Sequence, residues 1–298
     1  MKQVPSVDIV LPYYSPVERA WPSISSVLAQ TRRDWRLVVV DDAYPENGVR
    51  DRLHALGDSR IHYTRNERNI GLARNFNRCL EMVEAPYFVM LGDDDLMHPR
   101  YLESVLERIT AHPDADIVQP GVRVIDGSGA PALPMADRIK SMLRPRGGLE
   151  GIALTGEALA ESLIRADWAY FPSLVWRTGS ARAHGFREEY EVALDYGLLL
   201  DIALDGGTMI VYDDIVFDYR RHRASASSTT AASGLRFAQE RAFALEYAEK
   251  FARRGWSRAA RIGRRRLISR AHAASEAAAA LLGGEVRRAM TLAGLAIR

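Results

Sequence analysis

Tyr87 to Pro99 reads YFVMLGDDDLMHP. Tyr87, Phe88, Val89, Met90 and Leu91 follow one another with no alternation, the pattern of a strand buried on both faces, and the run stops at Gly92 and three aspartates. Adjacent carboxylates repel. Asp93, Asp94 and Asp95 therefore either hold a cation or form a solvated acidic turn in which Asp94 and Asp95 open the next helix. Ligands of open β/α sheets gather at the carboxyl ends of strands, which favours a divalent ion carrying a polyanionic ligand.

The sequence upstream repeats the pattern. Val7–Leu11 is an apolar strand interrupted by Asp8 and stopped by Pro12, and Pro16–Gln30 then places Val17, Ala20, Ile24 and Val27 at helical spacing. Leu37–Val40 is a second buried strand that ends in Asp41 and Asp42, followed by a turn at Tyr44–Gly48. A short helix over Val49–Leu56, a strand over Ile61–Tyr63 and a helix from Gly71 to about Glu84 lead to the YFVML strand. Alternating strands and helices of these lengths predict a mostly parallel sheet covered by helices on both faces, with Pro12, Asp42 and Asp93–Asp95 on one rim.

Composition sets outer limits. The chain has 298 residues, 47% apolar and 26% charged, enough for one large α/β domain with an appendage or for two small domains. Cys79 is the single cysteine, which rules out an intrachain disulfide and thiolate metal clusters and favours a reducing, cytoplasmic setting. MKQVPSVDIVLPYY holds only a five-residue apolar run, short of a signal peptide or of the roughly 20 residues of a membrane span, so neither export nor insertion is expected. No GxGxxG follows the first strand and no GxxxxGK[ST] occurs, so a nucleotide site here relies on metal for its phosphates, with Asp42 accepting from base or ribose.

VDIVLPYY, SISSVLAQTRRDWRLVVVDDAYPENG, RNERNIGLARNFN and YFVMLGDDDLMHPRYLE, taken in order over residues 6–105, resemble the nucleotide-binding half of family 2 glycosyltransferases of the GT-A fold. The resemblance implies a Rossmann-like α/β fold and an inverting transfer of sugar from a nucleoside-diphosphate donor, with UDP-sugars favoured, to a hydroxyl acceptor. The setting it implies is cell-surface polysaccharide or glycolipid synthesis, with lipid-linked acceptors included. It makes Asp42 the base-reading acid and draws Pro12, Tyr14, Asn69, Arg74 and Asp93 into the donor site. It makes Asp94, supported by Asp95, the ligand of Mg²⁺ or Mn²⁺. The family's usual first acid of this motif falls on Gly92, and the small residue usual after the second-strand acids is Tyr44.

ADWAYFPSLVWRTGSARAHGFR, from Ala166, and EEYEVALDYGLLLDIALDGG extend the resemblance and make Asp195 the general base; the family's paired Glu is here Leu194. A helix-terminal acid favoured by the dipole is the plainer reading of Asp195. After the strand-like Ile210–Tyr219, the resemblance brings His222 to the metal and Arg220 to the diphosphate, while Ala224–Gly234 has the composition of a mobile loop over the donor. Asp126–Gly151, rich in Gly and Pro, reads as an irregular excursion whose Arg138, Lys140, Arg144 and Arg146 face either solvent or a phosphate-bearing acceptor.

The expected organisation is a GT-A domain over 1–233, with nucleotide-sugar half 1–125 and acceptor half 126–233, followed by a basic helical extension over 234–298. In that extension Leu235, Ala238, Ala242, Leu245, Ala248 and Ala252 form one face, Ser257 caps a second helix, and Ser275 a third that ends at Gly283-Gly284. Eleven Arg and two Glu make Phe251–Arg298 +9 in a chain of net +2, leaving −7 on residues 1–250. Such a tail suits peripheral contact with the inner membrane face or a homo-oligomer. Nucleic acid is disfavoured because no aromatic-basic reading pattern accompanies the arginines. A nucleotide-sugar-binding protein without catalysis is the alternative in function.

Overall fold

Strands β1 (Val7–Tyr13), β2 (Trp35–Asp41), β3 (Ile61–Arg65) and β4 (Tyr87–Met90) lie in the order β3-β2-β1-β4, all parallel. They alternate with helices α1 (Val17–Leu28), α2 (Gly48–Leu56) and α3 (Leu72–Glu81). The computed structural model describes residues 7–189, 193–221 and 235–297. Unbroken apolar runs fit this layer because successive side chains serve two cores. Ile9, Leu11, Leu37 and Val39 point to α1, α2 and α4 (Tyr101–Ala111), while Val10, Val38, Val40 and Phe88 point to α3 and to helices from later in the chain.

Past β4 the parallel rule ends. The remaining elements are β5 (Leu96–Met97), β6 (Ile117–Ile125), α5 (Met135–Leu143), β7 (Ile152–Thr155), α6 (Gly156–Arg165), a 3₁₀ turn (Phe171–Ser173), β8 (Val175–Arg177), α7 (Thr178–His184), α8 (Leu194–Leu204) and β9 (Thr208–Arg220). β8 inserts antiparallel between β4 and β6, β9 runs parallel to β6, and β5 and β7 pair antiparallel with β9. The expected mostly parallel sheet therefore holds for its first half, and the second half is mixed. The excursion expected over 126–151 contains a regular helix, α5, whose flanking Pro and Gly residues hide its period.

Asp8, which interrupts β1, is fully buried, and its charge is fully met. Arg36 from β2 grips it with Nε and Nη2 at 3.1 and 2.6 Å, and the Glu84 and Ala85 amides donate to it at 2.6 and 3.1 Å. The same guanidinium donates to the Met82 carbonyl, so the pair clamps β1 and β2 to the turn that feeds β4.

The C-terminal helices are α9 (Leu235–Arg253), α10 (Ser257–Arg265), α11 (Leu267–Leu282) and α12 (Val286–Ile297). α9 and α10 are part of the main core rather than a detached extension. α9 buries Phe243, Tyr247 and Phe251 with Ala248, while Ala242 and Ala252 of the expected stripe are exposed. Aromatic rings bury far more area than alanines, so they set the helix's rotation. Ser257 opens α10, but the cap comes from Glu157 Oε1, which accepts the Arg258 amide at 3.0 Å. Ser275, expected as a cap, lies inside α11, which does end at Gly283. Arg266 is buried between α10 and α11, unlike Arg264 and Arg265. Among the described residues no helix is long and apolar enough to cross a membrane.

Arg36→Met would strand the Asp8 carboxylate in a dry site. The expected loss is about 3–5 kcal/mol of unfolding free energy in urea titrations; a change below about 1 kcal/mol would contradict the clamp.

Candidate functional site

The rim at the carboxyl end of β4 is built by division of labour among three acids. Asp95 turns inward and is buried; its Oδ1 accepts the Arg220 amide at 2.8 Å, and its Oδ2 occupies the space into which a Cβ at Gly92 would project. A side chain at position 92 would meet the Asp95 carboxylate, which would have to move. Burial, then the charges of Asp94 and Asp93, hold the Asp95 carboxyl well above the usual range. Its carboxylate supports the turn that carries Asp93 and Asp94.

Asp93 and Asp94 keep partly exposed oxygens, and a cation already faces them. Arg19, in the first turn of α1, reaches Asp94 Oδ2 at 2.7 Å and Asp93 Oδ1 at 3.4 Å. Arg220 donates from Nε to the Asp94 carbonyl and from Nη1 to the carbonyls of Asp126 and Gly127, so its role here is to tie the loops after β4 and β6. Among the described residues no three His, Cys, Asp or Glu side chains converge on one ion position. His222 and the loop 224–234 lie outside the described residues. Two hard carboxylates with a guanidinium in the cation's place nevertheless fit Mg²⁺ or Mn²⁺, which take one or two carboxylates and complete their shell with phosphate and water.

The second-strand acids are both buried. Asp41 accepts the Tyr44 amide at 2.7 Å and the hydroxyl of Tyr63. Asp42 accepts Asn66 Nδ2 at 2.7 Å, the Ile70 amide at 2.8 Å and the Gly71 amide at 3.0 Å. A carboxylate offers about four acceptor positions, so Asp42 pins the loop before α3 and keeps one lone pair. Ala43 between it and Tyr44 sits at φ 62°, a left-handed conformation costing about 1 kcal/mol for a residue with a Cβ. That turn sets Tyr44 edge-on to Tyr13 and to the exposed Tyr14, beside the half-buried Pro12. Asn69 accepts the Gly71 amide at 3.0 Å, and Arg74 pairs with Glu188 at 2.9 Å.

Asp195 stands in the first turn of α8, a helix fixed from behind. Leu194 is in the core, Tyr196 stacks on Phe243 at 4.8 Å, and Tyr247 Oη donates to the Gly197 carbonyl at 3.0 Å. Burial, then the charge of Asp167, push the Asp195 carboxyl up to about 7, against the opposing pull of Lys140. Lys140 of α5 pairs with Asp167 at 3.4 Å. Arg19, Asp167 and Lys140 as a tuner of Asp195 escaped the sequence reading. Only Arg19 leaves a signal, its place in the turn that follows β1 onto the rim.

The family described as Glycosyl transferase family 2 matches residues 8–156, half of the chain. The chain belongs to glycosyl transferase family 2. The putative teichuronic acid biosynthesis glycosyltransferase TuaG of Bacillus subtilis is 33% identical to this family 2 chain over 105 residues, 35% of this chain and 41% of that protein. This chain spans only 20% and 47% of the length of two other relatives. In fold it is similar to S. aureus TarS 1–349 in complex with UDP-GlcNAc (TM-score 0.63, 18% identity, 81% of this chain and 66% of that one). It is likewise similar to the mannosyltransferase PcManGT from Pyrobaculum calidifontis in complex with GDP-Man and Mn²⁺ (TM-score 0.61, 16% identity, 98% and 80%). These likenesses bear out the GT-A architecture with C-terminal helices.

Asp42→Ala removes three bonds to one carboxylate. It is expected to cost about 3 kcal/mol and to open the Ile70 and Gly71 amides to hydrogen exchange. Unchanged protection of both amides would contradict the pinning role.

Proposed function

We propose that this chain transfers a sugar from a nucleoside-diphosphate donor to a hydroxyl acceptor in one displacement that inverts the anomeric carbon. The observation that carries the proposal is the place of Asp195 at the start of a helix held by Phe243 and Tyr247, where burial and Asp167 raise its carboxyl to about 7. A base of that strength accepts the acceptor's proton as its oxygen attacks. The new bond forms to the anomeric carbon on one face while the bond to the diphosphate oxygen breaks on the other. The diphosphate leaves with the electron pair, and one such step inverts the centre.

Donor recognition is assigned to the other rim. Asp42's remaining lone pair accepts one N–H from the base. Uracil presents a single ring N–H, whereas guanine presents ring and amino donors together, which favours a UDP-sugar. Tyr14 and Tyr44 offer faces beside that carboxylate. Asp94 and Asp93 would hold a divalent ion, Mg²⁺ or Mn²⁺, in the place that Arg19 faces, and the ion would supply positive charge against the departing diphosphate. Arg74, released from Glu188, and His222, from outside the described residues, complete the proposed donor set. The likeness to TuaG and to a UDP-GlcNAc-bound fold supports a setting in surface polysaccharide or glycolipid synthesis.

Transfer rate is expected to rise with pH through about 7, as Asp195 ionises. Asp195→Asn should lower kcat by about 100-fold while donor affinity changes little. Asp167→Asn removes a nearby negative charge, so the inflection should move to lower pH, whereas Lys140→Met should move it higher. A pH profile unmoved by both substitutions, or full activity in Asp195→Asn, would remove the assignment.

A further inference from the structure

α5 is amphipathic in the reverse sense. The side chains it turns toward the protein are polar. Asp137 is buried, receiving Arg221 Nη2 at 2.8 Å and Tyr170 Oη at 3.1 Å, while Lys140 reaches Asp167. Arg144, at the helix end, pairs with Asp213 at 2.6 Å. Met135, Ile139 and Met142, spaced four and three residues apart, share the opposite face and are 68%, 39% and 76% exposed. Leu133 and Leu149, on either side of the helix, are 51% and 68% exposed. An apolar stripe of this size on the water side is unfavourable unless something apolar covers it, whereas the buried ion pairs show that the helix is not simply rotated out of place.

The flanking charge identifies what covers it. Between Pro131 and Leu149 the chain has four cations, Arg138, Lys140, Arg144 and Arg146, and a single acid, Asp137, which is buried against Arg221. The next acid, Glu150, turns toward Arg108. Arg138 and Arg146 are exposed beside the stripe. A second copy docked by the same face would set one cation-rich patch against another, since a two-fold contact apposes the same patch on both copies. An anionic lipid bilayer offers both an acyl layer for the stripe and phosphates for the arginines. We propose that α5 docks the enzyme on an anionic membrane surface and, because Lys140 of the same helix lines the Asp195 region, holds the acceptor side of the site at that surface. The docking rests on α5 alone; its use for acceptor delivery rests on the assignment of Asp195 above.

The test is cosedimentation of the full chain with phosphatidylcholine vesicles with and without phosphatidylglycerol. Binding is expected only when phosphatidylglycerol is present. Met135→Ser, Ile139→Ser and Met142→Ser together should weaken it by about 100-fold, as expected for three partly buried apolar side chains. Arg138→Glu with Arg146→Glu, which leaves the apolar stripe intact, should abolish it. Arg264→Ser with Arg265→Ser, on the tail, should leave it within about twofold, since neither belongs to the α5 face. Absence of vesicle binding in the wild type, unchanged binding in the triple variant, or loss of binding only in the tail variant would overturn the proposal. So would a wild-type dimer in sedimentation velocity that the triple variant converts to monomer without any vesicle binding. The readout is binding rather than turnover, so its failure leaves the assignment of Asp195 standing, and an inactive Asp195→Asn leaves the docking face untouched.

Discussion

Three carboxylates on consecutive residues at the mouth of one strand repel each other, and much of the rim is arranged to contain them. Asp95 is turned inward, where the backbone of Arg220 meets it and Gly92 leaves it room. Asp93 and Asp94 are left facing Arg19. The cost of burying one acid is thereby met by β9, which carries Arg220, so the last strand of the sheet is tied to the fourth. The partly exposed pair is the one to which the proposed divalent ion is assigned, since a fully buried triad would have no opening for phosphate and water.

Asp195 is held by a different route. Asp195 owes its raised pKa to burial and to Asp167, and both depend on distant chain segments. α9 packs its aromatic edge against Tyr196 and caps the Gly197 carbonyl with Tyr247, so a helix some 50 positions later fixes the first turn of α8. Lys140 enters from α5 and limits how far the carboxyl is raised. The same helix also reaches Arg221, the residue after Arg220. α5 consequently links Asp167 to Arg221 while its apolar face points outward.

What could be read from the sequence was what is locally encoded. Two apolar runs ending in acids mark strands whose ends form a rim, and four sequence blocks in order carry the family. Asp42 was legible as a rim acid, but its three loop contacts were not, because Asn66, Ile70 and Gly71 reach it through a fold-back that no spacing rule describes. Arg220 was placed at the diphosphate by the resemblance, while its contacts to backbone carbonyls of two loops follow from no spacing rule. α5 was missed because the Pro and Gly residues on either side of it hide its period. The face of α9 was misjudged because alanines outnumber the rings that decide its burial. Asp8 was seen as an interruption, and only the pairing of β1 with β2 supplies its partner.

The central claim is that the rim binds a divalent ion and a nucleoside diphosphate jointly, with Asp94 as a ligand that neither partner replaces. Electron paramagnetic resonance of Mn²⁺ tests this directly, because the free-ion signal disappears on binding. Titrating the protein with Mn²⁺ should leave most of the signal in place, and adding UDP should remove it, with no such loss in Asp94→Asn beyond that of Mn²⁺ and UDP alone. Equal signal in wild type and Asp94→Asn at every UDP concentration would contradict the account of the rim.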